Sequence, residues 1–119
     1  MKMNYFVFGT NDKQKAVSFY EAFFEGCGLA KLHDEGRMTL WANEELMFAI
    51  AEPFDEQVAS NGNGTMVGFN VNSSEEVDNL YQKALKLGGT SEGEPSIRSG
   101  MYSAYIRDLD KNKICLYKK

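Results

Sequence analysis

The chain is short of the residues that staple, chelate or anchor a protein. Only Cys27 and Cys115 occur among its 119 residues, far apart and outside any CxxC spacing, so free thiols are expected instead of a disulfide framework or zinc knuckle. His33 is the only histidine. It stands beside Asp34-Glu35 on a short strand-like run, and one imidazole without a second well-spaced donor reads as a solvated surface side chain. No apolar run approaches the ~20 residues needed to cross a bilayer, and the Met1-Lys2-Met3 opening lacks the apolar core of a secretory signal. A membrane partner is therefore not expected, and the cytoplasm is the expected location. Basic clusters are missing too. The formal net charge is −4 and the lysines are scattered away from the aromatics, which argues against nucleic acid as a partner.

What the chain does have is 43% apolar residues, enough for a core that folds without staples. Its organising stretch is Thr65 to Gly89. Thr65-Met66-Val67-Gly68-Phe69-Asn70-Val71 alternates like a half-buried strand, Ser73-Ser74-Glu75-Glu76 offers a capping box, and Val77, Leu80, Ala84, Leu85 and Leu87 follow at helical spacing. Gly88-Gly89 supplies the left-handed stop. The same unit occurs once before: Asn4 to Gly9 is strand-like, Thr10-Asn11-Asp12 provides cap residues, and Ala16, Val17, Phe19, Tyr20, Phe23 and Phe24 form an apolar stripe ahead of Gly26 and Gly28. Each unit leads into further strands. In the first half these are Leu29 to His33, Arg37 to Ala42 and Glu45 to Ala51. In the second, Met101 to Arg107 and Lys113 to Tyr117 alternate strongly, whereas Thr90 to Gly100 holds Pro95 and reads as an edge strand or loop.

The order of elements predicts an α+β protein of two tandem βαβββ modules in one domain, about 1–52 and 65–119, joined by a linker over 53–64. Ser60-Asn61-Gly62-Asn63-Gly64 is the most flexible composition in the chain, and the linker is expected to have lid character.

Four stretches carry a resemblance. Asn11-Asp12 followed by Ala16-Val17-Ser18-Phe19-Tyr20, the run Thr65 to Phe69, the Gly88-Gly89 pair, and Tyr105 to Ile114 through the Asp108-Leu109-Asp110-Lys111-Asn112 turn together resemble the vicinal oxygen chelate superfamily. That group includes glyoxalase I, bleomycin-resistance proteins, fosfomycin-resistance enzymes and extradiol dioxygenases. The resemblance implies that each module curls into part of a cup, with helices outside and the ligand in the hollow. Phe6, Phe8, Val67, Phe69, Ile106, Ile114 and Leu116 would then face helices, and Tyr5, Met66, Ser103, Tyr105, Cys115 and Tyr117 would face the cup. Lys111 stands where the family's turn has glycine, and Leu109 where it has proline; a lysine tolerates the left-handed backbone poorly.

The resemblance also implies where a divalent metal would be held. The first-strand ligand position falls on Tyr5 and its second-module counterpart on Met66, while the last-strand positions fall on about Ala49 and on Cys115. None offers the imidazole or carboxylate that such metals take, so neither metal nor cofactor is expected. Met66 with Cys115 could serve soft Cu(I), although both residues ordinarily line or pack. The expected ligand-binding set is Tyr5, Trp41 (if its strand faces inward), Met66, Ser103, Tyr105, Cys115, Tyr117 and Arg98, with Ser103 and Tyr105 matching substrate-contacting strand positions of the fosfomycin-resistance branch. Arg98 could grip an anion in two-pronged fashion, and Arg107 beside Asp108 suits a structural ion pair. The expectation is a metal-independent binder of a small organic molecule, working as a homodimer as the drug-sequestering relatives do. Mild acidity is compatible with a cationic ligand. A glyoxalase-type lyase or transferase, and a non-catalytic interaction protein with a filled cup, stay open beside it.

Overall fold

A computed structural model describes residues 1–119 as two compact units, Met1–Asn61 and Gly62–Lys119. Each unit has the same order of elements: β1 (Tyr5–Gly9), α1 (Lys13–Phe23), β2 (Ala30–Glu35), β3 (Met38–Ala42) and β4 (Met47–Ala51), then β5 (Val67–Asn70), α2 (Ser74–Lys86), β6 (Thr90–Arg98), β7 (Met101–Arg107) and β8 (Lys113–Lys118). Sheet order repeats as well, running β1-β4-β3-β2 in the first unit and β5-β8-β7-β6 in the second. In both, the first strand pairs in parallel with the last and the remaining pairs are antiparallel. The α+β fold is two βαβββ modules.

The helices begin where their caps dictate. The Asp12 carboxylate accepts from the Lys15 amide at 3.1 Å and the Ser73 hydroxyl accepts from the Glu76 amide at 3.0 Å. Glu76 reaches back as a capping box should, but takes the amide of Asn72 at 2.9 Å instead of the cap's own. α2 ends on Gly88 at φ +102°, where the Gly89 amide donates to Ala84 O at 2.9 Å. A side chain at Gly89 would lie 2.7 Å from Arg107 O, so the helix can turn onto β7 only because that position has none.

In the first module, α1 covers its sheet with aromatic rings. Tyr20, fully buried, lies 4.9 Å from Phe48, 5.5 Å from Phe24 and 6.1 Å from Trp41 between ring centroids. The second module uses smaller side chains: Val77 and Ala84 on α2, with Ile106, Ile114 and Leu116 on its sheet, are all fully buried. Phe8 is buried in its module as expected, while Phe6, Val67 and Phe69 are half-buried.

One open alternative closes and one expectation changes. Residues 90–98 form a true strand, at the sheet edge as Pro95 requires, with irregular register between Ser91 and Ser96. The segment after Pro53 is tied down, not a loose lid: the Asn11 amide donates to Ala59 O at 3.1 Å and its carbonyl accepts from Ala59 N at 2.7 Å. No helix is long and apolar enough to cross a membrane.

Candidate functional site

The face of the second sheet turned away from α2 is built by strand alternation. Ile106, Ile114 and Leu116 point to the helix, so Ser103, Tyr105, Cys115 and Tyr117 project to the other side. Register then fixes who stands beside whom: Tyr105 opposes Cys115, Ser103 opposes Tyr117, and Gly68 on β5 opposes Cys115. Four of the eight expected ligand residues are thus neighbours on one face of the sheet, Ser103 and Cys115 buried and Tyr105 and Tyr117 half-buried.

Two glycines give these side chains room. A Cβ at Gly68 would sit 3.3 Å from Tyr117 Cε1, so the ring lies across bare backbone. At Gly93 a Cβ would meet Arg98 Nη2 at 3.0 Å and Tyr105 Cδ2 at 3.1 Å. Arg98 enters through that gap. Its Nη1 donates to Ser103 O at 2.6 Å and lies 3.4 Å from Ser103 Oγ, and its Nη2 donates to Glu94 O at 2.7 Å. Both prongs of the guanidinium are therefore spent on backbone carbonyls, and Arg98 stitches the irregular stretch of β6 to β7 instead of presenting an open fork. Arg107 is structural, though its carboxylate partner is Glu92 at 2.7 Å across the β6–β7 pair and not Asp108; the ion pair holds the Glu92 carboxyl below its usual range.

Electrostatics set the protonation of the thiol. Burial pushes Cys115 up, and the Tyr105 hydroxyl together with the nearby Arg98 and Lys113 charges pulls only partly back. Cys115 stays a neutral thiol at pH 7, a poor nucleophile and a poor metal ligand. Cys27 is the other free cysteine, its Sγ 3.7 Å from Phe23 O.

The remaining expected residues lie elsewhere. Met66 is exposed just ahead of β5. Tyr5, also exposed, belongs to the first module, where its hydroxyl lies 3.8 Å from Met38 Sδ. Trp41 does not face inward. Its indole is 1% exposed on the helix side of the first sheet, against Tyr20 and Phe24, so packing with α1 takes the ring that was expected to stack on a ligand. His33 is exposed on edge strand β2. No group of three His, Cys, Asp or Glu side chains is placed to hold a metal ion.

One residue of this face escaped the sequence reading. Lys113 shares the parity of Cys115 and Tyr117, and its Nζ lies 5.2 Å from the Tyr105 ring centroid. Parity alone could have found it.

A family model described as the Glyoxalase/Bleomycin resistance protein/Dioxygenase superfamily matches residues 2–116. Among solved structures, a glyoxalase/bleomycin resistance protein from Albidiferax ferrireducens T118 is 30% identical, with a TM-score of 0.90 over 98% of both chains. A lactoylglutathione lyase from Agrobacterium tumefaciens shares the fold at 21% identity and a TM-score of 0.73, covering 98% of this chain and 92% of that one. The fosfomycin resistance protein FosX from Mesorhizobium loti does so at 16% identity and 0.71, covering 100% and 92%. No curated protein matches by sequence.

Proposed function

Since the chain belongs to the glyoxalase/bleomycin resistance protein/dioxygenase superfamily, we propose that it binds a small organic molecule on the helix-free face of its second sheet, without a metal held at the positions the family resemblance marks. The observation that carries this reading is the convergence of Ser103, Tyr105, Cys115 and Tyr117 on one surface, with Gly68 and Gly93 leaving space for the two tyrosine rings. Phenol and hydroxyl groups orient a ligand there while the ring faces exclude water from it. Donor chemistry supports metal independence. Tyr5, Met66, Ala49 and Cys115 supply a phenol, a thioether, a methyl and a thiol, which are not the imidazole and carboxylate donors that suit Zn²⁺, Mn²⁺, Ni²⁺ or Fe²⁺. The neutral Cys115 also favours binding over nucleophilic catalysis by its thiol. A cytoplasmic homodimer is part of this proposal.

A thermal-shift panel of divalent metals, antibiotics and thiol metabolites tests it. An organic ligand at a hundredfold over its Kd should add about 2.7 kcal/mol of stability and do so equally after EDTA treatment. Stabilisation by metals alone would overturn the reading.

A further inference from the structure

Tyr105 stands between two cations, neither of them in a salt bridge, although Lys113 lies near enough to Glu92 to help hold that carboxyl low. Arg98 Cζ and Lys113 Nζ each lie 5.2 Å from its ring centroid. Several other cations on strands and helices do find carboxylates: Lys13 with Asp34, Lys31 with Glu21, and Arg107 with Glu92. Neither Arg98 nor Lys113 has a carboxylate oxygen within 4.0 Å.

The two differ in what they can offer. Arg98 is immobilised by its bonds to Ser103 O and Glu94 O, so it contributes a fixed positive charge and no spare fork. Lys113 makes no salt bridge; its ammonium lies over the Tyr105 ring and acts on Glu92 and Cys115 only through its charge. An ammonium carries three donors on a flexible stem, which suits an incoming anion. The surface is half-buried around Lys113, Tyr105 and Tyr117, so charge is less screened there than at an exposed position. Within an acidic chain, this face therefore gathers two cations that no salt bridge neutralises.

We propose that the ligand of this face is a small organic oxyanion, gripped directly by Lys113, steadied by the fixed charge of Arg98, and laid against the rings of Tyr105 and Tyr117. The proposal rests on the preceding reading that this face is the ligand site. It reverses the cationic ligand that the overall acidity of the sequence is compatible with, because the local charge and not the net charge meets the ligand.

Four probes of similar shape separate the possibilities: benzoate, phenyl phosphate, benzamide and benzamidine, titrated into the ¹⁵N-labelled full chain. Saturable amide shifts confined to residues 103–105 and 113–117 are expected for benzoate or phenyl phosphate, about tenfold tighter than for benzamide, weakening as salt rises. The tighter of the two anions identifies the source as carboxylate or phosphate. Lys113→Met should weaken the anion by about tenfold and leave benzamide and the melting temperature unchanged, whereas Lys113→Arg should retain binding. Tightest binding by benzamidine, or anion binding indifferent to Lys113→Met, overturns the charge assignment while sparing the site. Absence of any saturable shift on this face with all four probes overturns both.

Discussion

The two modules repeat one topology and hold it together by different means. Module one is cemented by rings: Tyr20 touches Phe19, Phe23, Phe24, Trp41 and Phe48. Module two relies on aliphatic packing under α2 and on a polar turn. There Asp108, buried, accepts from the amides of Asp110 at 2.9 Å and Asn112 at 2.8 Å and from Asn112 Nδ2 at 3.0 Å. Charge divides the same way. Residues 1–61 carry five basic and ten acidic side chains and residues 62–119 eight and seven, so the net values are −5 and +1. A duplicated fold leaves each copy free to diverge, and here one copy fills its core with rings while the copy with smaller core residues carries tyrosines and cations on its helix-free face.

The sharpest way to break that contrast is to cut each module at its own cement. Phe48→Ala removes a ring that is 1% exposed and in contact with Phe8, Tyr20 and Phe24. A loss of about 3–5 kcal/mol is expected by chemical denaturation. Asp108→Ala should cost about 2–4 kcal/mol, since it strands the donors of Asn112, itself 2% exposed. If Asp108→Ala proved neutral, the polar turn would not be what holds β7 to β8.

A smaller loss is expected from Tyr102→Phe, with a pH signature that packing mutations lack. Tyr102 donates to Asp78 Oδ1 at 2.6 Å, tying β7 to α2, and that bond to a carboxylate raises the phenol above its ordinary value. A raised folded-state value stabilises fully below the unfolded phenol's titration near pH 10 and is lost as pH rises through the folded one. Wild type should therefore lose stability on the alkaline side more steeply than Tyr102→Phe, measured by melting temperature from pH 8 to 11. Coincident alkaline limbs would show that the bond does not survive in solution.

How much of this was legible depends on whether local rules were left undisturbed. The capping residues, the Gly88 stop, the strand alternation of β7 and β8 and the repeat itself follow from short-range chemistry, and all are found. Trp41 was misplaced because β3 carries apolar residues at successive positions: Thr39 is buried with its hydroxyl donated to Asp34 at 2.7 Å, so polarity does not mark the inner face. Arg98 was half read. Irregular register in β6 erases the parity that would predict where its side chain goes, and its carbonyl partners exist only once β6 and β7 have paired. The Asn11 clamp on Ala59 spans 48 positions, beyond any pattern in a window.

The finest test concerns a residue that contradicts local rules and yet was foreseen to do so. Lys111 adopts φ +67°, the left-handed conformation that its place in the 108–112 turn demands, and it lacks glycine's freedom to do so. The turn imposes it: the Lys111 amide donates to Asp108 O at 3.0 Å, its carbonyl accepts from Arg107 Nη1 at 2.9 Å, and Asn112 closes back on Asp108. Lys111→Gly removes a side-chain penalty of about 1–2 kcal/mol and adds an unfolded-state entropy of about 0.5–1 kcal/mol, so a net gain of up to about 1 kcal/mol is expected. The bonds that Lys111 makes in the turn are those of its backbone, and the substitution keeps them. Combined with Asp108→Ala, the gain should vanish, since without the buried carboxylate nothing forces the backbone of residue 111 to the left-handed side. Equal gains in both backgrounds would mean that the turn is not what strains Lys111, and that the polar cement of module two is weaker than its hydrogen bonds imply.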